Sequence, residues 1–525
     1  MNRTHGTNEL SALTATEAKA LLEQRKVSSV ELVDALFARI EKHDRSVNAF
    51  TERFEQRARA EAQRADEARA RGDSLGALHG LPVTVKESIE IEGSASTLGI
   101  PSRTSIRAAK DAPIVAETRR AGGIVLGRTN VPQLLLSFEC RNPVFGQCAN
   151  PRKLTHSPGG SSGGEAAALV YGGSMLGIGT DIGGSIRLPA HFSGCVGFKP
   201  TQDRLPNRGL VAGIPGQEAI RSQCGPMARS VDDIALFLRA LDMDALSRAD
   251  GRTPPMPFGA LDSVQLRGVR VGLLEHDGIL APSRANIRAV RRAGDALERA
   301  GVEVVPFVLR GAPDAIKDYF AALSSDGANT ARDIIGDAPV DVTLQSVFLA
   351  AKLPAKARLA AAKALEIAGQ SLTAMVLRAL GERSVAGFWK LVASVRARRF
   401  AIERELDEAG IDALLLPPFA TAAVPHTFGA QFQQAASYTM LFNFLHWPAG
   451  VVPVTTVRAD ECDREATLDA VVRRAREVDR QSLGLPIGVQ VATRAWKDEL
   501  CLALLRVIEE DTRNDDGVPA RVIDP

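Results

Sequence analysis

The chain has 525 residues, 45% of them hydrophobic and 24% charged, with a formal net charge of +2. That length and apolar content can bury a large core, and a charge so near zero argues against nucleic acid as a partner. The six cysteines (140, 148, 195, 224, 462 and 501) form no C-x-x-C pair and no metal-ligand spacing with histidine. They are expected as reduced thiols, and neither metal nor cofactor is expected. The opening MNRTHGTNELSAL lacks an apolar signal core, and no run of about 18 apolar residues follows anywhere. No signal peptide or transmembrane helix is therefore expected, and the expected location is cytoplasmic.

Residues 14–71 read as helical. Ser28 and Glu31 have the spacing of a capping box, and Val33, Leu36, Phe37 and Ile40 fall on one face. Within this segment, 52–72 is rich in Arg, Glu and Ala and predicts an exposed helix. From 80 to 310, apolar β-branched runs at 82–86, 123–127, 270–274 and 303–308 alternate with helix-like stretches. Further runs lie at 412–416, 451–457 and 485–491. Strands separated by helices predict an α/β fold whose sheet is covered by helices on both faces. Residues 246–262, with Pro254, Pro255 and Pro257, predict a surface loop. Residues 458–483 are charged and poor in apolar periodicity, and predict an exposed excursion.

Residues 351–400 carry ten Lys and Arg against two acids, and Leu372, Met375, Val376, Ala379 and Leu380 share one helical face. Basic amphipathic helices of this kind suit a membrane surface, or pack their apolar side inward as ordinary surface helices.

The densest chemical signal is residues 157–191, SPGGSSGGEAAALVYGGSMLGIGTDIGGSIRLPAH. Ser161 and Ser185 each sit among paired glycines, and upstream Lys86 ends the run Pro82-Val-Thr-Val-Lys86. Paired glycines let the backbone turn its N–H groups toward a ligand. A serine among such donors has the nucleophile and the oxyanion trap that acyl transfer needs. Only His156 and His191 stand near these serines, and no G-x-S-x-G turn is present, so Lys86 is the natural base. A lysine can serve only when neutral, and burial in an apolar strand lowers its pKa. The chain holds 13 Lys against 51 Arg, yet position 86 keeps the amine that can lose its proton. The run Gly177-Ile-Gly179-Thr-Asp-Ile-Gly183 is not a dinucleotide loop, because its third glycine falls one position late.

These blocks, with Gly80, Pro82 and Lys86 forming G-x-P-x-x-V-K, resemble the amidase signature family. The segments VPQLLLSFECRNPVFGQ (131–147), SYTMLFNFLHWPAGVVPVTTV (437–457) and GLPIGVQVATRAWKDELCLALL (484–505) resemble its fatty acid amide hydrolase branch. The similarity runs from about residue 70 to 510. It implies a Ser–cis-Ser–Lys triad, with Ser185 as nucleophile, Ser161 as the bridging serine after a cis Gly160–Ser161 bond, and Lys86 as base. The backbone amides of Ile182, Gly183, Gly184 and Ser185 are the implied oxyanion donors, with Ser162, Asp181 and Arg187 holding the loop.

It further implies one twisted mixed sheet, with an N-terminal helical segment (1–70) packed on an amidase signature domain (71–525) and 351–400 as a basic helical cap. Leu135, Leu136, Phe138 and Trp496 fall where the family lines its acyl channel, which points to a long-chain lipid amide as substrate. Mammalian members are thought of as carrying an N-terminal membrane helix, from which this chain departs. Peripheral membrane contact and a homodimer stay open. So do a generalist aryl or short-chain amidase and an amidotransferase subunit as other readings.

Overall fold

A computed structural model describes residues 6–525 apart from positions 74, 466, 514 and 516. The apolar runs pair into a sheet of 11 strands, with a separate two-stranded ribbon beside it. In chain order the strands are β1 (Phe50–Arg53), β2 (Pro82–Lys86), β3 (Ile124–Thr129), β4 (Arg141–Asn142), β5 (Gly146–Gln147), β6 (Leu176–Asp181), β7 (Val196–Lys199), β8 (Gln223–Ala228), β9 (Arg270–Leu273), β10 (Glu303–Pro306), β11 (Ala413–Leu416), β12 (Ala449–Thr456) and β13 (Pro486–Thr493). β4 and β5 form the ribbon, and the sheet order is β1-β3-β2-β6-β8-β7-β12-β13-β11-β9-β10. Pairing is parallel across β3-β2-β6 and across β11-β9-β10, and antiparallel elsewhere. This is the α/β architecture the strand pattern predicted, with the mixed sheet that the family resemblance implies.

All seven strands read from apolar runs are present, within a few residues of their expected ends. Four others of the large sheet, β1, β6, β7 and β8, were not expected as strands, nor were the two of the ribbon. The four sheet sequences (FTER, LGIGTD, VGFK and QCGPMA) carry glycine, proline or polar residues, which mask strand propensity. β6, β7 and β8 are fully buried and sit mid-sheet, where burial decides the conformation.

The N-terminal stretch forms helices Ala15–Glu23, Ser29–Val47 and Glu55–Arg71. The capping box is made: the Ser28 amide donates to Glu31 Oε2 at 2.8 Å and the Glu31 amide to Ser28 Oγ at 3.1 Å. Val33, Leu36, Phe37 and Ile40 are all buried. The stretch is not wholly helical, because β1 interrupts it and pairs with β3, stitching residues 50–53 to the sheet edge. Residues 1–5 of the expected segment lie outside the described residues.

One further expectation is corrected. The excursion at 458–483 contains the helix Ala470–Arg480, whose Val471, Ala475 and Val478 are buried at helical spacing. In the basic region, built from helices Val342–Lys352, Ala355–Ile367, Ser371–Ala379 and Val385–Glu408, the face carrying Leu372, Val376, Ala379 and Leu380 packs into the molecule. The large apolar side chains that remain exposed there are Val342, Leu349, Leu359, Ile367, Val385, Trp389, Val392 and Phe400. No helix of the described residues is long and apolar enough to cross a membrane.

Candidate active site

β2 and β6 are neighbouring parallel strands, and both are buried along their whole length. A strand covered on both faces reads as a near-continuous apolar run, so the amine at the end of β2 must be paired or held neutral there. Lys86 has no exposed surface. Its Nζ lies 2.6 Å from Ser161 Oγ, 2.8 Å from Thr180 Oγ1 and 3.2 Å from the Thr180 carbonyl at the matching end of β6. Burial strips the ammonium of hydration and lowers its pKa from 10.5 to about 7, against the opposing pull of Asp181.

Ser161 follows a cis Gly160–Ser161 peptide bond. Ser162 then leads into the helix Gly163–Val170, every residue of which is buried beneath the sheet. Glu165 on this helix accepts from Thr84 Oγ1 at 2.5 Å and from Thr129 Oγ1 at 2.7 Å, tying it to β2 and β3. Burial raises the Glu165 carboxyl to about 7. The Ser162 hydroxyl donates to the Thr180 carbonyl at 3.3 Å, and its amide donates to the Ser185 carbonyl at 3.0 Å. That last bond joins the two serine-bearing segments directly.

Ser185 stands just before the helix Arg187–Ser193. The loop carrying it is clamped by Asp181 and Arg187, both fully buried. Arg187 donates Nε to Asp181 Oδ2 at 3.0 Å and Nη2 to Oδ1 at 2.9 Å, and also reaches the Thr439 carbonyl, Gln490 Oε1 and Asn443 Oδ1. Burial alone would raise the Asp181 carboxyl, yet Arg187 beside it holds it well below the usual carboxylate range. The same carboxylate accepts the Ile186 amide at 3.1 Å and the Gly184 amide at 2.8 Å. Gly184, expected among the oxyanion donors, is thus turned to Asp181. Its φ of +123° is open to glycine, and a Cβ there would lie 2.3 Å from Thr439 Oγ1. Among the described residues, the amides of Ile182, Gly183 and Ser185 have no protein acceptor.

Two cavities meet at Ser185. One is apolar, lined by Leu135, Leu136, Phe138, Phe320, Leu344 and Phe348 among others, and encloses about 1080 Å³ counting its open mouth. The other is lined by Leu210, Val211, Ile214 and Pro215, with Asn207, Gln217, Arg221 and Ser222 adding polar groups. Leu135 and Leu136 line both, and Phe138 lines the apolar one. Trp496 lines neither. It sits 44% exposed in the turn after β13, with its amide bound to Thr201 Oγ1 at 2.9 Å. The expectation of a channel tryptophan is corrected on this point: Arg494, Lys497 and Asp498 around it mark a polar turn.

Thr180, Thr439, Asn443 and Gln490 were not singled out from sequence. Thr180 could have been, since it lies inside the GTDIGGS block, whereas the other three come from distant strands and helices. Among the described residues no cluster of His, Cys, Asp and Glu could hold a metal ion.

Comparison with known proteins agrees with this geometry. The family model described as Amidase matches residues 31–502. The chain is 37% identical to Fatty-acid amide hydrolase 1 of Sus scrofa over 83% of its length and 76% of the relative's. It is 30% identical to an acetamidase of Aspergillus oryzae, covering 94% of this chain and 88% of that one. A solved fatty acid amide hydrolase superposes with a TM-score of 0.84 at 25% identity, over 97% of this chain and 86% of that chain. The chain belongs to the amidase signature family and is an amide-cleaving hydrolase similar to the fatty acid amide hydrolases.

Proposed function

We propose that this chain hydrolyses long-chain fatty acid amides, N-acylethanolamines or primary fatty amides, to a fatty acid and an amine. The observation that carries the reading is the apolar cavity opening on Ser185, whose leucines and phenylalanines suit an acyl tail. The second cavity at the same serine, where Asn207, Gln217, Arg221 and Ser222 supply polar groups, suits a small polar amine.

Neutral Lys86 takes the proton of Ser161 as Ser161 takes that of Ser185, and Ser185 Oγ bonds to the substrate carbonyl carbon. The carbonyl electron pair moves onto oxygen, where the amides of Ile182, Gly183 and Ser185 receive it. Collapse breaks the C–N bond, and the departing amine takes the proton returned through Ser161. Water then repeats the sequence on the acyl-serine ester. Asp181 and Arg187 keep the loop in place throughout.

The reading extends to how a lipid arrives. Val376 and Leu380 give the apolar cavity part of its wall from the basic helical region. The outer side of that region carries exposed Leu359, Ile367, Val385, Trp389 and Phe400 beside exposed Lys356, Lys363, Lys390 and Arg396. An apolar and basic surface over a channel suits peripheral contact with anionic lipid from the cytoplasmic side.

A competition assay with acyl amides of graded chain length tests the substrate. Each buried methylene contributes about 0.8 kcal/mol, so kcat/KM rises about fourfold per methylene until the cavity is filled. Rates that are flat from acetamide upward would instead support a short-chain amidase.

A further inference from the structure

The segment Ile182–Ser185 has to present its amides in a fixed direction, and what fixes them is visible. Tyr319, on the helix Ala312–Leu323, donates its hydroxyl to the Ile182 carbonyl at 3.1 Å. That carbonyl and the Gly183 N–H belong to one planar trans peptide unit and point in opposite directions. Holding the carbonyl toward Tyr319 therefore aims the Gly183 N–H away from it. The two flanking anchors act on other groups: Asp181 takes the Gly184 N–H, and Thr439 Oγ1 donates to the Gly183 carbonyl at 2.9 Å, the far end of that same Gly184 unit. Of the three units whose amides lack a protein acceptor, that of Gly183 is held by Tyr319, that of Ile182 by Asn443 Nδ2 on the Asp181 carbonyl at 3.1 Å, and that of Ser185 by the Leu188 amide on the Gly184 carbonyl at 2.7 Å.

The fit is close. A Cβ on Gly183 would lie 2.4 Å from the Tyr319 hydroxyl, so glycine is what admits the phenol. Tyr319 is 2% exposed and lines the apolar cavity, and burial pushes its pKa far above the usual phenol value. The hydroxyl therefore keeps its proton at any working pH and donates in a dry environment, where a hydrogen bond is stronger than in water.

We propose that Tyr319 is a positioning residue of the oxyanion hole: its hydroxyl, by holding the Ile182 carbonyl, orients the Gly183 amide toward the oxygen that becomes negative during acyl transfer. This rests on the reading of Ser185 as nucleophile.

Tyr319→Phe removes the hydroxyl and little else. Deleting a whole oxyanion donor costs about 10²–10³ in kcat, and loosening one that remains is expected to cost about tenfold, with KM unchanged. A boronic acid that forms a tetrahedral adduct should bind about tenfold more weakly, while the affinity for the fatty acid product stays the same. Fluorophosphonate labelling should still reach one per chain, at about one-tenth the rate, and the melting temperature should hold. That pattern separates aim from folding: a merely structural role would lower labelling stoichiometry and melting temperature together and leave the turnover of each labelled site unchanged, which would overturn the proposal. Wild-type kcat and boronate affinity in Tyr319→Phe would also overturn it, with the reading of Ser185 intact. Activity surviving in Ser185→Ala would overturn that reading and this proposal with it.

Discussion

Replacing Lys86 with methionine should make the protein more stable at neutral pH while abolishing amide turnover. The reasoning follows from burial. Lys86 ionises with a pKa of 10.5 when solvated and about 7 in the folded chain. Between those values the unfolded chain binds more protons than the folded one, so wild-type stability rises with pH through this window. Below about pH 7 the full penalty of burying a would-be ammonium is present, on the order of 5 kcal/mol at about 1.4 kcal/mol per pKa unit. Methionine has similar length and no charge to desolvate. It also abandons the bonds to Ser161 and Thr180, each worth about 1 kcal/mol net. The balance at pH 7 is a gain of about 3 kcal/mol, shrinking to nothing or reversing near pH 10. The assay is urea unfolding of both proteins across that range, read as the difference between them. Lys199, also buried and lowered to about 7, is common to both and cancels in the difference. A stability gap that does not move with pH would refute the view that Lys86 is held neutral by burial.

Ser185→Ala should lose all turnover and all fluorophosphonate labelling with an unchanged melting temperature; labelling that persists would place the nucleophile elsewhere. Wild-type kcat/KM should fall as pH drops through about 7, because only neutral Lys86 accepts the serine proton, and a profile flat down to pH 5 would exclude that role. Arg187→Met should cost about 3–5 kcal/mol, since it leaves Asp181 buried and unpaired, and an unfolding midpoint equal to wild type would show the clamp to be dispensable. Trp389→Ala should weaken co-sedimentation with anionic vesicles and slow turnover of vesicle-borne amides but not of a short soluble amide. Wild-type protein that ignores vesicles at low salt would remove the lipid-surface part of the proposal.

The sheet was legible wherever side chains advertised it. Pro82–Val85 and Ala413–Leu416 are uninterrupted apolar or β-branched runs, and both lie in strands. Leu176–Asp181 was invisible by the same rule because two of its six residues are glycine. Those glycines are explained by what lies across them. A Cβ at Gly177 would lie 2.2 Å from Glu165 Oε2, and one at Gly179 would lie 2.8 Å from Ser162 Oγ. The strand gives up propensity so that the helix bearing Glu165 and the loop bearing Ser162 can approach it. Tertiary demand of this kind leaves no local signature.

The charged helices left two readings open for a related reason. Leu372, Val376 and Leu380 show the periodicity of an amphipathic face, but periodicity says only that a face is apolar, not what covers it. Here the molecule itself covers it. Arg398 and Arg399, counted among the basic residues of the region, are likewise spent internally. Arg398 pairs with Asp318 at 2.7 Å, and Arg399 donates to the carbonyls of Phe444 and Ala219. The exposed surface is therefore less basic than the sequence suggested.

The candidate site was the easiest part to read and the oxyanion segment the hardest to finish. Three residues, Lys86, Ser161 and Ser185, stand out because each breaks a local rule: an amine ends a buried strand, and two hydroxyls sit among glycines. What orients them cannot break a local rule, because its partners are far away in sequence. Asp181 and Arg187 could be suspected from adjacency, but Gln490, Asn443 and Tyr319 reach the loop from 137 to 303 positions away. Tyr319 in particular looks like an ordinary aromatic on a surface helix until the fold brings its hydroxyl against Ile182. The groups that react announce themselves in one stretch of chain, whereas the groups that aim them emerge only when the sheet closes.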